Sequence, residues 1–257
     1  MAALGVLLGY WLSLHRLMFS WEVVLAAAAA FCICGGGMAV NDFFDRNVDA
    51  KAKKNRPLPS GRIGERVAFN FASSLFLLGA ILSLFVNSEV FFIAVGASLF
   101  LLAYSAVLLK YKYLGNWVVA GLTGLTFLFG AAISGEYFLA GMVGALAFLS
   151  NLGREISKDI EDRKADRGVK RSLPMVLGVK ASAAVAAVAY LLAIAFSVVP
   201  FAVGLVAGIE FMLLLLISYG VFALCVIQLM QGDYAESRKT SKFAMAIALA
   251  AFLMALV

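Results

Sequence analysis

The sequence predicts an all-α fold: a polytopic membrane helical bundle of nine transmembrane helices, with a charged cap on the cytoplasmic side. Three observations predict it. Of 257 residues, 63% are hydrophobic and 14% charged, and the mean hydropathy is +0.97, values that exclude a soluble globule. Apolar runs recur along the whole chain, each near the roughly 20 residues that cross a hydrocarbon core as a helix. The Lys and Arg residues collect in alternate polar gaps between those runs.

The first run, 2–15, lacks the basic stretch that opens a signal peptide. It reads as a first transmembrane helix, short for a full span, so the chain is expected to begin later than its relatives. His15, the only histidine, sits beside Arg16 in a short polar turn. A histidine-based catalytic or zinc site is therefore not expected. Further helices are predicted over 21–45, 66–86, 89–109, 114–133, 137–158, 179–198, 201–229 and 240–257. Cys32, Cys34 and Cys225 lie inside apolar runs with no histidine nearby and read as small packing residues. Gly35, Gly36 and Gly37 suit close helix packing. Glu210 falls inside the eighth predicted helix, where a proton relay and a hydrogen-bonded or interfacial carboxylate both fit.

Placing the loops after the second, fourth, sixth and eighth helices in the cytoplasm gathers 20 of the 21 Lys and Arg residues there, leaving only Arg16 outside. That asymmetry predicts a multi-pass protein of the cell membrane with its N-terminus in the cytoplasm and its C-terminus outside. Most of these cations need no other role than setting topology and meeting anionic lipid.

The chemistry is concentrated at two places. D-x-x-D-x-x-x-D occurs as Asp42, Asp45 and Asp49, and again as Asp159, Asp162 and Asp166. At about 100° per residue each trio falls within about 60° of one helix face. Glu155 extends the second stripe by a turn. Stacked carboxylates repel unless a cation lies between them, and oxygen-only ligands suit Mg²⁺. Each motif precedes an Arg-x-Leu-Pro element, at Arg56 and at Arg171. The chain therefore reads as a single domain, 1–257, built from two pseudo-repeated four-helix units that face their motifs across a shared cavity.

Both motifs run into loops rich in cations: Lys51, Lys53, Lys54, Arg56, Arg62 and Arg66 after the first, and Arg163, Lys164, Arg167, Lys170 and Arg171 around the second. Carboxylates interleaved with cations suit a metal–diphosphate, in which Mg²⁺ bridges carboxylate and phosphate oxygens and Lys or Arg neutralise the rest. A diphosphate at the mouth of an apolar bundle suggests an isoprenoid diphosphate with its tail in a channel between helices. Loss of diphosphate would leave an allylic cation, shielded from water and favoured by aromatic faces, for an acceptor nucleophile to attack.

Asn41-Asp42-x-x-Asp45-x-x-x-Asp49, with the second Asp162-x-x-x-Asp166, resembles the UbiA superfamily of intramembrane prenyltransferases. The likeness covers essentially the whole chain. The stretches 41–63 (NDFFDRNVDAKAKKNRPLPSGRI) and 153–166 (GREISKDIEDRKAD) look most like its archaeal digeranylgeranylglyceryl phosphate synthase branch. Tyr104-Ser105 followed by Lys110 is similar to the Tyr/Lys element after the fourth helix of that family, at a spacing of i, i+6. Two features differ: an Arg/Lys-x-Asn element before the first helix is missing, and Gly168 follows Asp166 more closely than in relatives.

The resemblance implies Mg²⁺, two ions, held by Asp42, Asp45, Asp49, Asp162 and Asp166. It implies that Asn41 hydrogen-bonds an aspartate or phosphate, and that Asp159 ligates metal or polarises the acceptor. Asp45, Asp159 and Asp162 would be catalytic. Arg56, Tyr104, Lys110 and Lys158 would contact the substrates. The implied partners are an isoprenyl diphosphate donor, a lipid-like phosphorylated acceptor and the bilayer, with no nucleic acid. The implied reaction is Mg²⁺-dependent transfer of a geranylgeranyl group to geranylgeranylglyceryl phosphate. An aromatic quinone precursor or a tetrapyrrole is the alternative acceptor. A cation-coupled transporter is the alternative of another class, although its acids would lie near the midplane and these lie at helix ends. The D-G-x-x-A-R signature of CDP-alcohol phosphotransferases is absent.

Overall fold

The computed structural model describes residues 2–52, 55–108, 111–166 and 171–256, without the side chains of residues 48, 51, 52, 108, 112 and 164–166. In chain order the helices are α1 (Ala2–Leu14), α2 (Trp21–Ala52), α3 (Glu65–Leu84), α4 (Ser88–Ala103), α5 (Lys112–Ala131), α6 (Phe138–Asp166), α7 (Leu173–Val176), α8 (Val179–Ser197), α9 (Val199–Ala202), α10 (Ile209–Gln231) and α11 (Tyr234–Met254). A π-helical segment, Tyr104–Leu108, continues α4. No strand occurs among the described residues. Six of the described helices are long and apolar enough to cross a membrane: those containing Trp21–Asn47, Glu65–Leu84, Ser88–Val107, Tyr113–Ala131, Val179–Ala202 and Ile209–Gln231. Ala2–Leu14 is apolar but shorter. α6 and α11 match them in length, but Arg154 to Asp166 and Arg238 to Lys242 bring charge into one end of each.

Helix boundaries depart from the sequence expectation where charge misleads. α2 runs on to Ala52 and α6 to Asp166, so both motifs are helical throughout and occupy the last turns of these helices. No Gly or Pro occurs between Met38 and Pro57, or between Gly153 and Gly168, so nothing local stops either helix. The single helix predicted over 201–229 is instead two pieces. Pro200 starts the short α9, and Gly204 and Gly208, both at positive φ (75° and 112°), turn the chain before α10 begins. Glu210 is thereby placed in the first turn of α10 and is exposed. A carboxylate there is favoured by the helix dipole, and the expectation of a glutamate inside the helix is corrected.

The bundle is drawn together by α1, which packs against α2, α5 and α6. A Cβ at Gly9 would lie 2.1 Å from the Phe127 carbonyl oxygen, and one at Gly130 would lie 2.0 Å from that of Val6. Only glycine permits this backbone approach. Gly36 meets α3 in the same way, its virtual Cβ 3.1 Å from the Ala72 carbonyl oxygen, as expected of the glycine run. Around these crossings the core forms three clusters. One joins α1 to α4, a second joins α1, α5 and α6 to α10 and α11, and a third lies beneath the second motif around Ile156, Ile160, Tyr190 and Phe222. The α1 crossings use the C-terminal half of α5, whereas the motifs lie toward its N-terminal end, next to the π-helical segment. Cys32 and Cys225 are buried, Cys34 is exposed, and all three are free.

Candidate active site

The first motif occupies the last turns of α2. Arg56, from the loop beyond, turns back onto it. Its Nη1 donates to Asp42 Oδ1 at 2.7 Å and to Asp49 Oδ2 at 2.6 Å. The loop is shaped by backbone bonds from Ser60 N to the Arg56 carbonyl at 3.0 Å and from Ile63 N to that of Pro57 at 3.2 Å. Asp49 is buried, while the Asp42 side chain is half exposed. Two carboxylates nearly two turns apart thus meet one positive charge. Asp45 lies partly buried on the same helix. Arg46 turns elsewhere: it pairs with Glu65 of α3 at 2.9 Å and stacks over Phe43, 4.7 Å from the ring centre. It holds α2 to α3 and takes no part in the acidic face.

Asn41 is reached from the π-helical segment, where the Ser105 hydroxyl donates to Asn41 Oδ1. Tyr104 is buried, its hydroxyl packed so tightly on α5 that a Cβ at Gly115 would lie 2.2 Å from it. Helices accept such an extra residue at a functional site because it swings side chains out of the ordinary register.

The second motif is more enclosed. Asp159 is only 1% exposed, and its Oδ2 accepts from Asn116 Nδ2 of α5 at 2.8 Å. Burying a carboxylate without such bonds would be costly. Glu155, one turn earlier, binds Arg154 and Lys158, the latter at 3.5 Å. Lys158 is thus drawn to Glu155. Glu161 pairs with Arg238 of α11 at 2.8 Å. Asp162 is partly buried. The backbone of Asp166 ends α6, but its side chain lies outside the described set, and Lys110 lies outside the described residues altogether. A backbone bond from Tyr113 N to the Arg171 carbonyl, 3.3 Å, ties the start of α5 to the loop after this motif.

The sequence marks Ser105 only as the neighbour of Tyr104 in the Tyr/Lys element and gives Asn116 no role. A lone buried polar residue beside an apolar run at the charged end of the bundle is the signal that could have found Asn116.

Among the described residues no group of three or more His, Cys, Asp or Glu closes on one point. Asp42 and Asp49 do converge on a single cation. Mg²⁺ is commonly held by one or two carboxylates, with waters and substrate phosphates completing the shell. The described residues therefore fit an ion shared with phosphate, and no all-protein cage occurs among them. An apolar groove of about 410 Å³ runs between α4 and α5, lined by residues that include Gly96, Phe100, Trp117, Gly121, Leu122 and Leu125.

Comparison with known proteins agrees with this architecture. Residues 2–255 match the model of the UbiA prenyltransferase family. A digeranylgeranylglyceryl phosphate synthase of Methanopyrus kandleri is 36% identical over 259 residues, covering all of this chain and 94% of that protein. A solved structure of a digeranylgeranylglyceryl phosphate synthase superposes with a TM-score of 0.85 at 32% identity, covering 99% of this chain and 92% of the other. A UbiA homologue from Archaeoglobus fulgidus, bound to DMAPP and Mg²⁺, shares the fold with a TM-score of 0.68 at 16% identity, covering 98% and 96% of the two chains.

Proposed function

The chain belongs to the UbiA prenyltransferase family, and on that premise we propose that it transfers a geranylgeranyl group from geranylgeranyl diphosphate to geranylgeranylglyceryl phosphate, an ether-forming step of archaeal lipid synthesis. The observation that carries this reading is the near-full-length identity to proteins named for that reaction, in a chain whose paired acidic motifs lie on two helix ends. In the reaction the C1–O bond between donor and diphosphate breaks, the glycerol hydroxyl oxygen forms the new C1–O ether bond, and the hydroxyl proton leaves to a base.

The site residues supply the following in this reading. Asp42, Asp45, Asp49, Asp162 and Asp166 would hold Mg²⁺, as two ions. When bound, the metal offsets charge developing on the departing diphosphate. Arg56, already shared by two aspartates, is at hand for a phosphate oxygen, and Lys158 and Lys110 serve the remaining phosphate charge. The Asn41 amide donates to phosphate or to a motif carboxylate. Tyr104 lines the substrate site from the π-helical segment. Asp159, buried and held by Asn116, polarises the acceptor hydroxyl. The apolar groove between α4 and α5 suits an isoprenyl chain. The surplus of cations over what one diphosphate requires favours an acceptor that brings its own phosphate.

The same reading takes the chain as a nine-helix bundle of two related units, with its N-terminus and both motifs in the cytoplasm. A single cysteine placed at Ser60 should then be labelled only from the cytoplasmic side, and one at Asn87 only from outside. The reverse pattern would separate the motifs from their substrates. For the reaction itself, purified protein is incubated with geranylgeranyl diphosphate, Mg²⁺ and a panel of acceptors, and products are identified by mass. The ether lipid is expected. Ready prenylation of 4-hydroxybenzoate or a naphthoate, with geranylgeranylglyceryl phosphate untouched, would overturn the lipid-ether assignment and leave the family intact.

A further inference from the structure

The connection between α4 and α5 touches both motifs, through residues that belong to neither. On its near side Ser105, 1% exposed, donates to the oxygen of Asn41, the residue just before Asp42. On its far side Asn116, 4% exposed, donates to Asp159 Oδ2 at 2.8 Å, the first aspartate of the second motif. The two ends of the connection are tied together where the Tyr104 hydroxyl packs on Gly115. They are tied to the loop after the second motif where Tyr113 N bonds the Arg171 carbonyl.

The Ser105–Asn41 bond is partly buried and the Asn116–Asp159 bond is buried, so neither is exchanged readily for water. Each also has a directional consequence. An amide whose oxygen is occupied by a hydroxyl is left with its Nδ2 hydrogens to donate to a ligand. A carboxylate held through one oxygen by a fixed amide keeps its plane.

We propose that Ser105 and Asn116 are positioning residues, and that this pair is a clip that sets the two acidic motifs relative to each other before substrate arrives. Ser105 acts through Asn41 on the donor diphosphate, and Asn116 acts through Asp159 on the acceptor. The turnover part of this inference rests on the prenyl-transfer reading, whereas the donor-binding part does not.

The test uses full-length protein in detergent or liposomes. Three quantities are measured: binding of an unreactive thiolo analogue of geranylgeranyl diphosphate with Mg²⁺ by calorimetry, kcat and acceptor KM, and the thermal midpoint. Ser105→Ala should weaken analogue binding about tenfold, the usual effect of losing one buried hydrogen bond. Ser105→Thr, which keeps the hydroxyl, should restore binding to within about threefold. Asn116→Leu should leave analogue binding within about threefold and lower kcat about tenfold or more. Ser105→Thr as impaired as Ser105→Ala, or Asn116→Leu losing donor binding and midpoint together, would show a packing role only and overturn the clip. If the unaltered protein makes no ether lipid but Ser105→Ala alone loses the analogue, the clip stands and the acceptor assignment falls.

Discussion

The two acidic stretches share their spacing and their place on a helix, and differ in almost everything around them. Asp42 and Asp159 hold the same register position. Asp42 is half exposed and shares Arg56 with Asp49, whereas Asp159 is almost wholly buried and bound by the neutral Asn116. The Arg-x-Leu-Pro elements diverge too. Arg56 folds back onto its motif, while Arg171 is exposed and contributes its carbonyl to Tyr113, with Leu173 and Pro174 opening the short α7. Spacing decides which face the carboxylates share, and the neighbouring helices decide what each can do. Carboxylates that share one cation suit a metal–phosphate. A buried, hydrogen-bonded carboxylate suits a single fixed task.

The largest expected effect tests whether the two stretches form one site at all. Asp45→Ala and Asp162→Ala should each lower turnover by about a hundred- to a thousandfold with the helical circular dichroism spectrum retained, and EDTA should abolish turnover. Full activity in EDTA would remove the shared metal. A smaller effect separates the arginines. Arg56→Met should lower turnover by on the order of a hundredfold, because it removes a phosphate contact and leaves two carboxylates without their shared cation. Arg171→Met should stay within about threefold. Equal losses would mean the divergence of the two loops has no functional weight.

The paired first aspartates sharpen the contrast. Asp42→Asn should weaken Mg²⁺-dependent binding of an unreactive donor about tenfold. Asp159→Asn should leave that binding within about threefold and lower kcat by about tenfold to a hundredfold. Interchanged results would swap the two roles. The smallest effect is expected at the Arg46–Glu65 pair, which is largely open to water at Glu65. Glu65→Gln should change stability by less than about 1 kcal/mol and leave turnover as it was.

By itself the sequence determined the membrane class, the order of the helices, the two carboxylate stripes and the family likeness. All of these rest on local composition and on the 3.6-residue period, which need no knowledge of distant contacts. The helix ends were read too short at both motifs, because charge resembles a loop until the lack of a Gly or Pro stop is weighed. Glu210 opens α10 and does not lie inside a longer helix, because Gly204 and Gly208 turn the chain at positive φ, which sequence does not announce. Tertiary structure alone decided that Arg56 reaches Asp42 and Asp49, through the turn that Pro57 and Ser60 build. It alone decided that Ser105 reaches Asn41 and Asn116 reaches Asp159, 64 and 43 residues apart in sequence. A hydrogen bond over such a separation depends on how helices cross; α5 and α6, which carry Asn116 and Asp159, meet where a Cβ at Gly124 would lie 2.7 Å from the Gly144 carbonyl oxygen, an approach that no period or composition encodes.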